Sequence, residues 1–194
     1  MPPIPFHHSI PMIQQSIVTS DHRPVRLPVI EHPNSHTLSI LVKNQPGVLM
    51  RICQVFARRG YNIDSLVVSQ GRDPRFSRMT IGLSGDPEGL EQIIRQVAKL
   101  IDVIHCSEHT GNQAVTREMV LVKVLADASQ RTEVLQIVEH FQGKTIDLSE
   151  NSLIIMIVGN SDKVDAAVRM LGNHEIIETV RTGKVVMARG EDPT

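Results

Sequence analysis

From residue 37 onward the spacing of apolar residues switches between a period of two and a period near 3.6 in one order, and then repeats that order. Few folds accept such a pattern. TLSILVK (residues 37–43) alternates as a strand, NQPG interrupts it, and Val48, Leu49, Ile52, Val55 and Phe56 recur on one helical face until Gly60 stops the helix. Two β-rich runs, 63–69 and 77–83, flank the turn-forming QGRDPRF segment as a hairpin. Asp86 and Pro87 cap and open a second helix carrying Leu90, Ile93, Ile94, Val97 and Leu100, and a strand around 101–107 closes the unit.

After the polar stretch TGNQAVTR (110–117), read as a linker, the same order returns. A strand spans 119–125, and a helix from about 129 to 141 turns Val134, Leu135, Val138 and Phe141 inward. A hairpin joins 144–148 to 153–158, Ser161 caps a helix bearing Val164, Ala167, Val168 and Leu171, and 176–180 ends the unit. A short strand at 184–188 follows the Thr182-Gly183 turn. The expected architecture is α+β: two tandem ferredoxin-like βαββαβ units, each a four-stranded antiparallel sheet beneath two helices. The sheet face without helices, or a sheet edge, needs cover, and dimerisation is the expected means.

Composition narrows the function. Lys+Arg 20 against Asp+Glu 21 gives no basic excess for a phosphate backbone, and no Trp, one Tyr and four Phe are too few aromatics for a base-stacking sheet. Nucleic acid is therefore not an expected partner. Cys53 and Cys106 sit in no metal-ligand or disulfide pattern; Cys53 reads as a small core residue and both as reduced thiols. The longest apolar run, 153–158, is far short of the ~20 residues that cross a bilayer. Residues 1–35 are proline-crowded, without helical period, and read as a mostly disordered arm. A cytoplasmic chain is expected, organellar only if that arm is a transit peptide. No nucleophile elbow, zinc-protease motif, Walker loop or dinucleotide fingerprint occurs, so neither catalysis nor a metal site is expected.

The informative stretch is KNQPGVLMRICQVFARRGYNI (43–63). A strand ends, a Pro-Gly turn follows, and a helix begins with its amides exposed at the positive end of its dipole, an arrangement that can hold a small carboxylate. Gly47 permits close approach, and Asn offers both donor and acceptor to a ligand carrying ammonium and carboxylate together. Alone, N-x-P-G is only a turn signal. Arg72, Arg75 and Arg78 gather around the first hairpin loop, either as a solvated loop or as a contact for a partner protein.

NQPGVLMRICQVFARRGYNIDSL, with SRMTI (77–81), LEQIIRQVAKLIDV (90–103), REMVLVKV (117–124) and ARG near the end, closely resembles the small regulatory subunits of acetolactate synthase, also called acetohydroxyacid synthase. The resemblance runs from about Thr37 to Gly190, with the arm outside it. It implies an ACT domain at 37–110 and a C-terminal ferredoxin-like domain at 118–190. It also implies a non-catalytic chain that pairs with itself through its ACT domains and with a large catalytic subunit. Thiamine diphosphate, FAD and magnesium would belong to that subunit, while this chain would bind no cofactor and take valine as feedback effector in branched-chain amino acid biosynthesis. The matching effector positions are Asn44, Gly47, Val48 and Leu49, with Asn62 and Ile63 supplied by the partner chain. A free-standing ACT-type amino-acid sensor with another client is the alternative.

Overall fold

The computed structural model describes residues 35–109, 114–191 and 194; almost all of the proline-rich arm lies outside them. The first unit is built on β1 (Ser35–Lys43), whose alternation buries Leu38, Ile40 and Val42 on one face. There follow α1 (Val48–Arg58), β2 (Ile63–Gln70), β3 (Phe76–Ser84), α2 (Pro87–Val97) and β4 (Val103–Glu108). The sheet runs β2-β3-β1-β4, every neighbouring pair antiparallel. The second unit contains β5 (Ala114–Leu125), α3 (Arg131–His140), β6 (Lys144–Leu148), β7 (Ser152–Gly159), α4 (Ser161–Leu171) and β8 (Glu175–Arg181). Its order, β6-β7-β5-β8, is the same topology, and β9 (Val185–Ala188) pairs with the first residues of β5. The expected pair of ferredoxin-like units is therefore what forms.

Each unit has its own core. In the first, Val48, Ile52 and Phe56 of α1 and Leu90, Ile93 and Val97 of α2 cover the sheet; in the second, Val134 and Ile137 of α3 and Val164, Ala167 and Leu171 of α4 do so. The buried stripe of α1 is narrower than the sequence suggests. Residues 48, 52 and 56 define its centre, and at 3.6 residues per turn Leu49 and Val55 stand about 60° to either side. Leu49 is exposed, Val55 is half-buried, and Cys53, farther round, is half-buried rather than core. In α3 the same geometry exposes Leu135 and buries Ile137 in its place.

The helix ends follow local chemistry. Asp86 accepts a hydrogen bond from the Gly89 amide at 3.1 Å with Pro87 behind it, and Gly60, at φ +70°, ends α1. The cap of α4 is Asn160, not Ser161: its side-chain oxygen accepts from the Lys163 amide at 3.2 Å, and Ser161 is already helical. The expected linker also differs. Ala114–Arg117 is strand, because β9 pairs with it residue for residue.

On the face away from its helices, the first sheet is polar yet buried at Thr37, Ser39 and Thr80. The C-terminal chain lies against it. Lys184 Nζ donates to Ser35 Oγ at 3.2 Å, Arg78 donates to Ser39 Oγ at 3.0 Å and to the carbonyl of Thr194, and a Cβ on Gly183 would come within 2.8 Å of Val67. The β5–β9 ribbon has two sides: Ala114 and Val186 are buried, while Val185 and Met187 are exposed. Where β8 ends, Arg181 binds the buried carboxylate of Glu118 and reaches Asp165 of α4 at 2.6 Å. Among the described residues no helix is long and apolar enough to cross a membrane.

The two sides of the second sheet should respond differently to truncation. Leu153→Ala removes a fully buried side chain and should cost about 2–5 kcal/mol, whereas Leu125→Ala, on the open side, should cost under about 1 kcal/mol. Equilibrium urea unfolding followed by circular dichroism checks this, and equal losses would place the core wrongly.

Candidate functional site

The β1–α1 loop carries the first group of expected effector residues, and its neighbours hold it in shape. The Asn44 amide donates to the Arg75 carbonyl at 2.7 Å, the Asn44 side chain donates through Nδ2 to the Pro74 carbonyl at 3.0 Å, and the Lys43 amide donates to the Asp102 carbonyl at 2.9 Å. The loop is thus pinned between the β2–β3 hairpin and the turn before β4. Asn44 Oδ1 accepts no hydrogen bond among the described residues.

Gly47 stands at the cap position of α1 with φ +84° and ψ −10°, where a side chain would be strained. Among the described residues no side chain caps the helix start, and its first turn holds no acidic residue. The Val48 amide donates to the Gln45 carbonyl at 3.4 Å, which leaves the amides of Gly47 and Leu49 and the positive end of the dipole for an anion. Val48 is buried and anchors the turn, while Leu49 is exposed beside it.

A residue absent from the sequence expectations joins this group. The Arg51 guanidinium binds the buried Asp102 carboxylate through both Nε and Nη2, each at 2.7 Å, and a Cβ on Gly47 would lie 3.1 Å from its Nη1. Helical side chains lean toward the N-terminus, so the residue four positions after Gly47 stands over it. That spacing was the signal available in the sequence. Asp102 fixes one side of the guanidinium and balances its charge, leaving Nη1 beside the helix start as a hydrogen-bond donor.

Asn62 and Ile63 are elsewhere. β1 and β2 are both antiparallel to β3 and hence parallel to each other, so the start of β2 lies at the end of the sheet opposite Asn44. The eight residues of β2 correspond to roughly 26 Å. Asn62 is exposed and donates to Asp64 Oδ1 at 3.0 Å, Asp64 accepts from Ser84 at 2.6 Å, and Ile63 is half-buried. One chain therefore assembles Asn44, Gly47, Val48 and Leu49 and leaves Asn62 and Ile63 far from them.

The three arginines do not gather as the sequence suggests. Arg72 is exposed on the hairpin loop. Arg75 folds back on Asp73, with Nη2 to Oδ2 at 2.5 Å and the Arg75 amide to Oδ1 at 3.0 Å, and its guanidinium lies 5.6 Å from the Phe76 ring centre. Arg78 belongs to β3, half-buried on the far side of the sheet, where loss of solvent lowers its pKa. Sequence adjacency places it by the loop; the pleat turns it away. Burial also pushes the Cys106 thiol up to about 11, and among the described residues no group of three or more His, Cys, Asp or Glu could hold a metal ion.

The side-chain and amide hydrogen bonds from Arg75 lower the Asp73 carboxyl to about 2, from an ordinary 3.8. The folded value is depressed, so this loop brace is complete above the ordinary carboxylate range and is lost as pH falls through about 2. A carboxyl-carbon NMR titration should find that midpoint, and Arg75→Gln should return it toward 3.8. A midpoint near 3.8 in the unsubstituted chain would contradict the brace.

Comparison with known proteins adds independent findings. Residues 38–105 match the family model described as an AHAS small subunit-like ACT domain, and residues 117–190 match that described as the small subunit of acetolactate synthase. The chain is 42% identical over 159 residues to a probable acetolactate synthase small subunit of Methanothermobacter thermautotrophicus, covering 81% of this chain and 95% of that one. It is 43% identical over 158 residues to the acetolactate synthase small subunit of Mycobacterium bovis, covering 81% and 94%. The crystal structure of the small subunit from Thermotoga maritima superposes with a TM-score of 0.74 at 39% identity, covering 82% of this chain and 99% of that one.

Proposed function

The chain belongs to the acetolactate synthase small-subunit family, and from that premise we propose that it is a non-catalytic regulatory subunit that senses a branched-chain amino acid, chiefly valine. Its partner is a large catalytic subunit that uses thiamine diphosphate, with FAD and magnesium, to make acetolactate from pyruvate or acetohydroxybutyrate from pyruvate and 2-ketobutyrate. The small chain raises that activity and makes it sensitive to valine, in the biosynthesis of valine and isoleucine.

The observation that carries this reading is the separation of Asn44 from Asn62. Among the described residues β2 is an edge strand, bonded only to β3. Antiparallel pairing of two β2 edges about a two-fold axis would bring the start of one β2 beside the hairpin end of the other, and so Asn62 and Ile63 of one chain toward the Asn44 loop of its partner. Two sites would form per pair. In each, the amides of Gly47 and Leu49, and that of Val48 once it releases the Gln45 carbonyl, hold the carboxylate beside Arg51. Asn44 Oδ1 and Asn62 take the ammonium, and Leu49 and Ile63 offer apolar surface to the isopropyl group.

Because two chains complete each site, the amino acid favours one pairing geometry. Coupling of about 1–3 kcal/mol between that geometry and the catalytic subunit is enough for feedback. The exposed Arg72 at the hairpin tip, next to the site loop, is the member of the arginine group best placed to touch the catalytic subunit. Arg75 braces the loop and Arg78 serves the opposite sheet face.

L-valine at 100 times its dissociation constant should stabilise the folded chain by about 2.7 kcal/mol, read as a raised thermal unfolding midpoint. D-valine should do much less, and Asn44→Ala and Asn62→Ala should each abolish the shift. Reconstitution with the large subunit should then give valine-sensitive acetolactate formation. Absence of any shift with L-valine, L-leucine and L-isoleucine would overturn the effector assignment.

A further inference from the structure

On the effector assignment proposed above, we infer that Tyr61 is a positioning residue: held in a glycine cradle at the start of α2, it sets where Asn62 and Ile63 stand, and its ultraviolet emission changes when the effector binds. Asn62 is exposed and precedes the first residue of β2, so its position depends on what holds its neighbours. On one side Ile63 pairs with Leu83 of β3, and Asp64, which accepts from the Asn62 side chain, is held by Ser84. On the other side stands Tyr61.

Tyr61 is anchored through both main chain and side chain. Its amide donates to the Phe56 carbonyl at 3.1 Å as the chain leaves α1, and its hydroxyl donates to the Asp86 carbonyl at 3.2 Å. Asp86 is itself the cap of α2, so the ring and the helix start share one residue. The ring also lies where other side chains would be. A Cβ on Gly85 would stand 2.6 Å from its Cε1, and a Cβ on Gly89 would stand 2.9 Å from its Cζ and overlap the hydroxyl. Gly89 is inside α2, where glycine is less favourable than alanine, and no positive φ calls for it. The room it leaves is taken by the ring.

One helix thus braces both groups of effector residues. Arg59, just past α1, donates to Gln92 of α2 at 3.1 Å, so the turn that delivers Tyr61 is tied to α2 at a second point. Beyond its last residue the same helix leads into the turn where the Asp102 carbonyl holds the Lys43 amide and the Asp102 carboxylate holds Arg51. The start of α2 therefore fixes Tyr61, and through it Asn62, while the turn after α2 fixes the Asn44 loop. Tyr61 is also the chain's only tyrosine, and there is no tryptophan, so the emission of the chain reports this one ring. An amino acid drawn to Asn62, the next residue, alters the surroundings of the ring. A ring that only filled space against the core would keep the same surroundings.

The test follows L-valine binding to the full chain by calorimetry and by tyrosine emission, in the unsubstituted protein, in Gly89→Ala and in Tyr61→Phe. Gly89→Ala keeps the amide that Asp86 caps and favours the helix, yet displaces the ring. Emission of the unsubstituted chain should change saturably with L-valine, at the midpoint that calorimetry gives, and not with D-valine. Gly89→Ala should keep its circular dichroism, shift the Asn62 and Ile63 amide resonances before any ligand is added, and bind L-valine about tenfold more weakly, the loss of one well-placed hydrogen bond. Tyr61→Phe keeps the ring in its cradle and should bind within about threefold of the unsubstituted chain. Calorimetric binding of L-valine at constant emission would overturn the inference whether or not Gly89→Ala folds, and so would equal affinity in a folded Gly89→Ala; either result leaves the effector assignment standing. Absence of calorimetric binding to the unsubstituted chain would overturn that assignment itself, and this inference with it.

Discussion

A βαββαβ unit puts both of its helices on one side of its sheet, so half of every sheet starts without cover. Much of this chain's organisation answers that constraint, and the two units answer it differently. In the first, Thr37, Ser39 and Thr80 are small and polar, and the chain's own C-terminal ribbon is fastened there by Lys184 and Arg78, with Gly183 allowing close approach to Val67. In the second, the equivalent side mixes Leu121, Ile154 and Met156 with the charged Lys123, Lys144, Asp147 and Glu178. The buried Glu118, held by Arg181 and through it linked to Asp165 of α4, stands where β5 passes from one role to the other.

The functional end of the first unit depends on rigidity obtained cheaply. Asn44, the Asp73–Arg75 hairpin and Asp102 hold the β1–α1 loop from two sides, so Gly47 keeps its left-handed conformation and the helix start stays without a capping side chain. An anion arriving there meets fixed amides and a guanidinium already oriented by Asp102, so little ordering entropy remains to be lost on binding. Asn62 and Ile63 lie at the other end of the sheet, so in the proposed function a complete site would report how two chains are paired.

Much of this was legible in the sequence because local periodicity carries it. The order of strands and helices, the Asp86 cap and the Gly60 stop all follow from neighbouring residues. What failed to appear depended on distant or angular relations. Residues 114–117 read as linker because their pairing partner, β9, lies about seventy positions away. Leu49 and Leu135 read as core because an apolar residue at the margin of a helical stripe looks the same in sequence as one at its centre. Ser161 and Asn160 are both plausible caps side by side, and only the chain's path into α4 chooses between them. Arg51 was missed because its importance comes from Asp102, fifty-one residues later, although the four-residue spacing from Gly47 was visible. The resemblance named Asn44 and Asn62 together, and the antiparallel sheet sets them at opposite ends of one unit.

The central claim is that the start of α1 receives the carboxylate of an amino acid. Its most direct test is the amide nitrogen–proton spectrum of the full chain titrated with L-valine. The account predicts that the largest shifts fall on Gly47, Val48 and Leu49, with Asn62 moving at the same ligand concentration and D-valine producing little change. Saturable shifts that leave these amides unmoved and fall elsewhere in the chain would contradict it.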